Sequence, residues 1–181
     1  MTEFNRMQQL KRRLFAMRNG VVADTLRKAG SPYRIIFGLN VPQLNEIARD
    51  FGPDASLAAE LRRNTSTRES QMLAPMLLNP TDITKEEAMA MACEVSDTEA
   101  ADIFTHRLLQ RIDGGRDLTP QLLASEKAIM RYMGLRMTLA DIASNPAAAL
   151  SAAKAELDKG EQITAMLARM IESEAQWLLT N

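Results

Sequence analysis

The residues best suited to chemistry lie in the segment SDTEAADIFTHRLLQRI, which covers residues 96–112. On a helix, Glu99, Asp102, His106 and Gln110 fall on one stripe at i, i+3, i+7 and i+11, opposite an apolar face. The Asp102 carboxylate could stabilise a positive charge that develops in a transition state, or it could position a water molecule. The same stripe is also typical of a solvent-exposed helix face on which Asp102 and His106 interact weakly at i,i+4.

Other catalytic or metal sites lack the side chains that they require. His106 is the only histidine and Cys93 the only cysteine. The chain therefore has too few ligands for a zinc site and no evident base beside Cys93 to activate a catalytic thiol. We expect Cys93 to be a buried structural thiol in its Met- and Ala-rich segment. The sequence contains no glycine-rich phosphate loop and no nucleophile elbow. We therefore expect no metal and no cofactor.

Basic residues are concentrated near the amino terminus. Residues 1–40 contain eight basic and two acidic side chains, whereas residues 81–102 contain one basic and seven acidic side chains. The net charge is −1, so binding of nucleic acid through bulk positive charge alone is excluded. A local duplex-binding surface is still possible. Segment 11–18 predicts a basic amphipathic helix whose apolar side packs on neighbouring helices, and its Arg12 and Arg13 are candidates for phosphate contacts.

The sequence predicts a succession of helices along the whole chain. Aromatic residues make up only 4% of it, and runs of β-branched residues are few. Capping boxes are predicted at 66–69, 84–87 and 96–99, and an N-cap before proline is predicted at Thr119 and Asn145. The predicted helices cover residues 3–18, 20–29, 42–51, 54–63, 66–78, 84–95, 97–112, 126–143, 146–158 and 161–179, with a short turn at 120–124.

Short connections between many helices predict antiparallel neighbours, either as a bundle or as a stack of helix pairs. A length of 181 residues fits one domain, and no internal period points to repeats. No apolar run reaches the roughly 18 residues of a membrane span, and the amino terminus has no signal-peptide pattern. Together with the single cysteine, these features predict a cytoplasmic protein. A monomer is favoured, and no membrane association is expected.

Three stretches of the chain resemble the AlkD-like DNA alkylation repair family. The most distinctive, FGLNVPQLNEIARDFG at 37–52, is similar to the family's opening signature, although Asn45 stands where arginine is usual. TRESQMLAPMLLNP at 67–80 resembles its next helix. In the 96–112 segment, the family's aspartate aligns with Asp102. The resemblance extends over about residues 20–135.

The resemblance implies an all-α, HEAT-like α-α superhelix of stacked antiparallel helix pairs, formed by residues 1–181 as a single domain. It also implies duplex DNA binding and an N-glycosylase that removes N3- or N7-alkylated purines, with Asp102 stabilising the sugar cation. Arg131 would hold a phosphate. Beside it, Arg136 and Lys127 complete a phosphate clamp or, alternatively, an ordinary charged helix face.

Two departures from the family pattern weaken the expectation of catalysis. Thr98 and Ile129 stand where the family has tryptophans, whose rings would attract the cationic lesion and sugar. The only tryptophan, Trp177, lies far along the chain and is expected to anchor the last helix. The resemblance therefore implies a glycosylase with weakened or lost activity. The alternative is a non-catalytic α-solenoid adaptor that binds another protein.

Overall fold

The computed structural model describes residues 5–181, and these residues are almost entirely helical or in turns. They contain no β-strand; the only β-type pairing among them is an isolated bridge between Ile35 and Thr67. The predicted all-α class is confirmed. The chain divides into two compact units between Asp82 and Ile83, and each is described by itself. The prediction that residues 1–181 form one HEAT-like domain stays a prediction.

Within residues 5–82, the N-terminal unit comprises five helices and a 3₁₀ turn. Residues 3 and 4 of the first predicted helix lie outside the described residues. The bounds of the other helices of this unit agree with their predicted bounds to within a few residues. Leu10, Leu14, Leu44 and Ile47 are buried in its core. The elements are α1 (Arg6–Ala16), α2 (Gly20–Lys28), α3 (Val41–Phe51), α4 (Ala55–Arg63), α5 (Arg68–Met76) and the turn Pro80–Asp82.

The second residue of the signature at 37–52 is a glycine that no other residue could replace without strain. Gly38 has a φ of 81°, a left-handed conformation that favours glycine. A Cβ atom at this position would lie 2.2 Å from the backbone oxygen of Asn19 and 2.8 Å from the backbone nitrogen of Ala23. The glycine therefore lets the loop before α3 lie directly against the start of α2.

Glu69 on α5 fixes the same loop. Its carboxylate accepts hydrogen bonds from the backbone N–H groups of Phe37, Gly38 and Leu39, at 3.0, 2.9 and 3.3 Å. Arg68 donates to the same carboxylate at 2.8 Å. The capping box predicted at 66–69 is therefore wrong, because Glu69 is occupied by the loop and α5 has no side-chain cap.

The C-terminal unit contains six helices and two shorter turns. α7 and a π turn together replace the single predicted helix at 97–112, while the remaining helices lie close to their predicted positions. The elements are α6 (Lys85–Ala92), α7 (Thr98–Phe104), the π turn Thr105–Leu109, the 3₁₀ turn Gly115–Leu118, α8 (Thr119–Leu123), α9 (Ala128–Ala140), α10 (Pro146–Leu157) and α11 (Gln162–Thr180).

The predicted helix caps of this unit are partly confirmed. The capping box that begins at Thr84 is present, and Asn145 caps α10 as expected. The box at 96–99 is wrong in register, because Asp97 rather than Ser96 caps α7. The cap predicted at Thr119 is also wrong, because this residue is already the first of α8.

A buried ion pair joins α9 to α10. The Nε atom of Arg131 lies 3.0 Å from both carboxylate oxygens of Glu156, and the two residues are 4% and 3% exposed. Arg131 also donates through Nη1 to the backbone oxygens of Ser125 and Glu126. Thr164 on α11 donates to Glu156 at 2.8 Å. The network therefore fixes three helices relative to one another.

Two predictions about burial are wrong. Cys93 is exposed, because it lies at the end of α6, where the helix leaves the core. Trp177 is 59% exposed, because α11 buries the face that carries Leu167, Ile171 and Ala175 instead. None of the helices formed by residues 5–181 is both long and apolar enough to cross a membrane.

Candidate functional site

Asp102 lies on α7, on the side opposite the helix face that packs into the core. Ala101, Phe104 and Leu108 are at most 5% exposed, whereas the Asp102 side chain is 36% exposed. Because successive helical residues are 100° apart, burial of this apolar face turns Asp102 towards the surface. The structure therefore has the helix orientation that the stripe predicts.

Two side chains of α9 hold the Asp102 carboxylate. The Tyr132 hydroxyl donates to Oδ1 at 3.0 Å, and the Nε atom of Arg136 lies 2.6 Å from the same oxygen. Tyr132 and Arg136 are four residues apart, so they share one face of the helix. The sequence analysis missed the Tyr132 contact. The only signal for it was this spacing, since nothing in the sequence indicates that α9 packs against α7.

The Tyr132 hydroxyl and the Arg136 guanidinium both contact the same oxygen of Asp102. Within the described part of the chain, Oδ2 has no hydrogen-bond partner. A carboxylate oxygen has two lone pairs, so Oδ2 can accept hydrogen bonds from water or stabilise a nearby cation. Asp102 is thus fixed through one oxygen and available through the other.

A surface cavity of about 200 Å³ adjoins Asp102. It combines a carboxylate, a guanidinium, an imidazole, an amide and a hydroxyl with a small apolar wall. No Phe, Tyr or Trp side chain is among the described residues that line it. The lining residues are Asp102, Thr105, His106, Gln110, Arg136, Leu139 and Ala140.

The hydroxyl of Tyr132 remains a hydrogen-bond donor well above neutral pH. Burial, together with the negative charge and the hydrogen bond of Asp102, raises the pKa of Tyr132 to about 12. Arg136 acts in the opposite direction but does not outweigh these effects. The Tyr132–Asp102 hydrogen bond is therefore kept at physiological pH.

The other predicted DNA contacts lie in different surroundings. Arg131 is directed into the core, where its donors are used by Glu156 and by backbone oxygens, so in this conformation it does not reach a phosphate. Lys127 is exposed, and its Nζ atom donates to the backbone oxygen of Cys93 at 3.0 Å. Arg136 is 33% exposed beside the cavity.

Arg12 and Arg13 belong to α1 of the N-terminal unit, and both are exposed. Arg13 forms ion pairs with Glu46 and Asp50 of α3, so acidic neighbours offset its charge. Both residues lie in the N-terminal unit, whereas Asp102 lies in the C-terminal unit.

A comparison with protein families shows to which family this chain belongs. A family model described as DNA alkylation repair enzyme matches residues 10–175. The chain belongs to this family. No curated protein and no solved structure matches the chain with significance.

The match of the DNA alkylation repair family extends over both units and includes every residue of the cavity. Thr98 and Ile129, which the resemblance aligns with tryptophans of the family, are both partly buried. No group of three or more His, Cys, Asp or Glu side chains in residues 5–181 has an arrangement that could hold a metal ion. The chemistry open to the site is that of a fixed carboxylate beside a small polar cavity.

Proposed function

We propose that this family member binds duplex DNA and hydrolyses the N-glycosidic bond of N3- or N7-alkylated purines, with Asp102 as the catalytic carboxylate. The observation that supports this proposal is the free Oδ2 atom of Asp102, on a carboxylate held by Tyr132 and Arg136 at the edge of a cavity. Family membership supports the same class of substrate.

The reaction requires little more than such a carboxylate. An alkylated purine carries a positive charge, so it leaves as a neutral base when the bond to C1′ breaks. The sugar then becomes cationic, and a fixed negative charge nearby lowers the energy of that transition state. Water adds to C1′, and the proton that it loses passes to Asp102 or to solvent.

The residues around Asp102 predict a low rate of base release. Arg136 lies 2.6 Å from the carboxylate and offsets part of the negative charge that would stabilise the sugar. The positions of the family's tryptophans hold Thr98 and Ile129, so the cation–π attraction to the lesion is missing. The expected activity is therefore weaker than that of a member with both aromatic residues.

Exposed basic side chains are the proposed phosphate contacts. In the C-terminal unit these contacts are Arg136 and Lys127, and in the N-terminal unit they are Arg12 and Arg13. We assign Arg131 a structural role instead, because a guanidinium that is 4% exposed and paired with Glu156 has no free donor face for a phosphate. Arg136→Ala should weaken binding to all duplex sequences alike, since a phosphate contact carries no base information.

A single-turnover assay of base release from duplex DNA containing N7-methylguanine tests the catalytic part. Asp102→Asn should lower the rate by about 100-fold, the typical effect of removing one electrostatic contact in a transition state. Circular dichroism should stay unchanged. The matched control is Asp158→Asn, which neutralises an exposed carboxylate of the same unit. Equal rates for Asp102→Asn and the wild type would remove Asp102 from the mechanism.

A protein-binding adaptor is the second candidate, and the surface of α11 favours it. Ile163, Met166, Met170 and Trp177 are 38–84% exposed and fall on one side of the helix. The salt dependence of duplex affinity distinguishes the two candidates. Affinity that falls steeply between low and moderate salt supports DNA binding. Binding that salt does not affect, or an absence of binding, supports the adaptor.

A further inference from the structure

One face of α11 is apolar and uncovered. Met166 on this face has the largest exposed fraction of the large hydrophobic side chains in the described part of the chain, at 84%. α11 packs on α9 and α10, and the residues that it buries lie on a different face. We call the exposed stripe the α11 seam; it comprises Ile163, Met166, Met170 and Trp177.

The residues of the α11 seam have the spacing of a coiled coil. Ile163, Met170 and Trp177 are seven residues apart, and they take the a positions of successive heptads. Met166 lies three residues after the first of them, at a d position. The next d position holds Ser173, which is also exposed. A stripe with this spacing follows one side of a helix, so a second helix can cover it along its length.

The charged residues beside the α11 seam have opposite signs on its two sides. Arg169 is at a g position, and Glu174 is at the following e position, five residues later. Both are exposed, and neither side chain has an ion-pair or hydrogen-bond partner among residues 5–181. In a parallel pair of helices, a g residue of one helix lies beside the following e residue of the other. Two copies of α11 therefore bring opposite charges together twice.

The same two charges disfavour an antiparallel arrangement of the helices. In an antiparallel pair, g positions face g positions and e positions face e positions, so like charges meet or both charges stay unpaired. A parallel pair of identical helices has a twofold axis, and a twofold dimer is the commonest assembly of identical chains. The charge pattern therefore favours a second copy of the chain in the parallel orientation.

We propose that the α11 seam is an interface between two copies of this chain, in a parallel twofold dimer in which Arg169 of each copy pairs with Glu174 of the other. The dimer departs from the monomer that the sequence favours, and it does not depend on the chemistry proposed for Asp102. The stripe from Ile163 to Trp177 is about 21 Å long. So short an interface is typical of a weak complex, and we expect a Kd on the order of 10 µM. At about 1 µM the chain should therefore be mostly monomeric.

Sedimentation velocity of the full chain between about 1 and 200 µM measures the association. The wild type should change from monomer to dimer over this range. Trp177 provides a second readout, because it is the only tryptophan and is exposed in the single chain. Its fluorescence emission should shift to shorter wavelengths over the same concentrations, as the indole becomes buried between the two copies.

A charge placed within the α11 seam should prevent association. Met166→Glu puts two like charges into the apolar interface and should raise the Kd at least about tenfold. The matched control is Leu179→Glu, at another exposed apolar residue of α11. Leu179 follows Trp177 by two residues and so lies on the opposite side of the helix. This control should keep the Kd of the wild type, and circular dichroism establishes that both variants are folded.

Exchanging the flanking charges tests the pairing and the orientation. Arg169→Glu turns two attractive pairs into two repulsive ones and should raise the Kd about fivefold. The double variant Arg169→Glu/Glu174→Arg restores opposite charges, so its Kd should return close to that of the wild type. Recovery is expected only for the parallel dimer, because positions 169 and 174 do not meet in an antiparallel one.

Three results would overturn the proposal. A wild type that stays monomeric up to about 200 µM has no such interface, and the α11 seam is then free for a different protein, as the adaptor candidate requires. A Kd of Met166→Glu equal to that of the wild type would place the contact elsewhere. A double variant that associates as weakly as Arg169→Glu would contradict the parallel pairing. Base release by Met166→Glu should match the wild type, so a failure of the dimer and a failure of the glycosylase are distinguishable.

Discussion

Glu69 in the N-terminal unit and Asp102 in the C-terminal unit are both carboxylates fixed by hydrogen bonds from other helices or loops. Glu69 is 0% exposed and accepts three backbone N–H groups and the guanidinium of Arg68. Asp102 is 36% exposed, and one of its oxygens accepts a hydrogen bond from Tyr132 and forms an ion pair with Arg136. The first carboxylate holds a loop in place, and the second retains an oxygen for chemistry.

The difference lies in how completely the surrounding groups satisfy each carboxylate. Every oxygen of Glu69 has partners within its own unit, so the group is part of the scaffold. Asp102 is held firmly enough to keep its orientation but lies beside a cavity. By burial and charge alone, Glu69 would be the stronger candidate for a functional carboxylate. Asp102 is the better candidate because its Oδ2 atom has no hydrogen-bond partner within the described residues.

The largest expected effect on stability follows from Glu69→Gln. The amide nitrogen of glutamine would face backbone N–H groups and Arg68, and removing one member of a buried ion pair lowers the free energy of unfolding by about 3–5 kcal/mol. Chemical denaturation measures the loss. The control is Glu46→Gln, which removes a surface pair with Arg13 and should lower the free energy by about 1 kcal/mol or less. Similar losses in both variants would contradict the scaffold role.

Acid should weaken the C-terminal unit through Glu156. Burial acts to raise the pKa of Glu156, but hydrogen bonds from Thr164, Arg131 and Lys159 outweigh it and hold that pKa below its usual 4.5. A lowered pKa in the folded state contributes stability above pH 4.5, and this stability is lost as the pH falls through the folded-state pKa.

The measurement is urea unfolding of the wild type and Glu156→Gln between about pH 6 and pH 3. The substituted protein should be less stable at pH 6, and its stability should fall less steeply as acid is added. Glu174→Gln, at an exposed position on α11, should leave the acid dependence unchanged. An acid dependence of Glu156→Gln as steep as that of the wild type would show that other groups cause it.

A smaller effect on stability is expected from Asp102→Asn. The ion pair with Arg136 is about one-third exposed, and partly exposed pairs contribute about 1 kcal/mol or less. The free energy of unfolding should therefore change little, although base release should become about 100-fold slower. A loss as large as that of Glu69→Gln would make Asp102 a structural carboxylate as well.

The smallest effect should be seen in the ultraviolet titration of the two tyrosines, Tyr33 and Tyr132. The pKa of Tyr132 is raised to about 12, so its tyrosinate absorbance should develop only in strongly alkaline solution. The stability that this shift provides is present below the ordinary pKa of 10 and is lost as the pH rises through the folded-state value. Tyr132→Phe should remove the late component. Its persistence in the variant would assign it to Tyr33.

Local sequence signals predicted the helices well and the site only in part. Caps such as Thr84 and Asn145 act within a few residues, so their positions could be found without knowledge of the fold. Arg131 and Arg136 look alike in sequence because both are basic residues on the same helix. Only the packing of Glu156, 25 residues after Arg131, separates a buried arginine from one beside the cavity.

The contact of Tyr132 with Asp102 spans 30 residues, and no short motif encodes it. The π turn Thr105–Leu109 is likewise not revealed by an ordinary helical pattern. The stripe of Asp102, His106 and Gln110 was predictable because helical periodicity alone produces it.

The close contact of Gly38 with the start of α2 has an evolutionary consequence. The most distinctive part of the resemblance, residues 37–52, contains the contact between the start of α2 and the loop before α3, and it lies in a different unit from the carboxylate proposed for catalysis. Selection for folding would preserve that motif in descendants whose aromatic residues have been replaced. In such proteins, membership of the family can therefore still be detected after the catalytic activity has been lost.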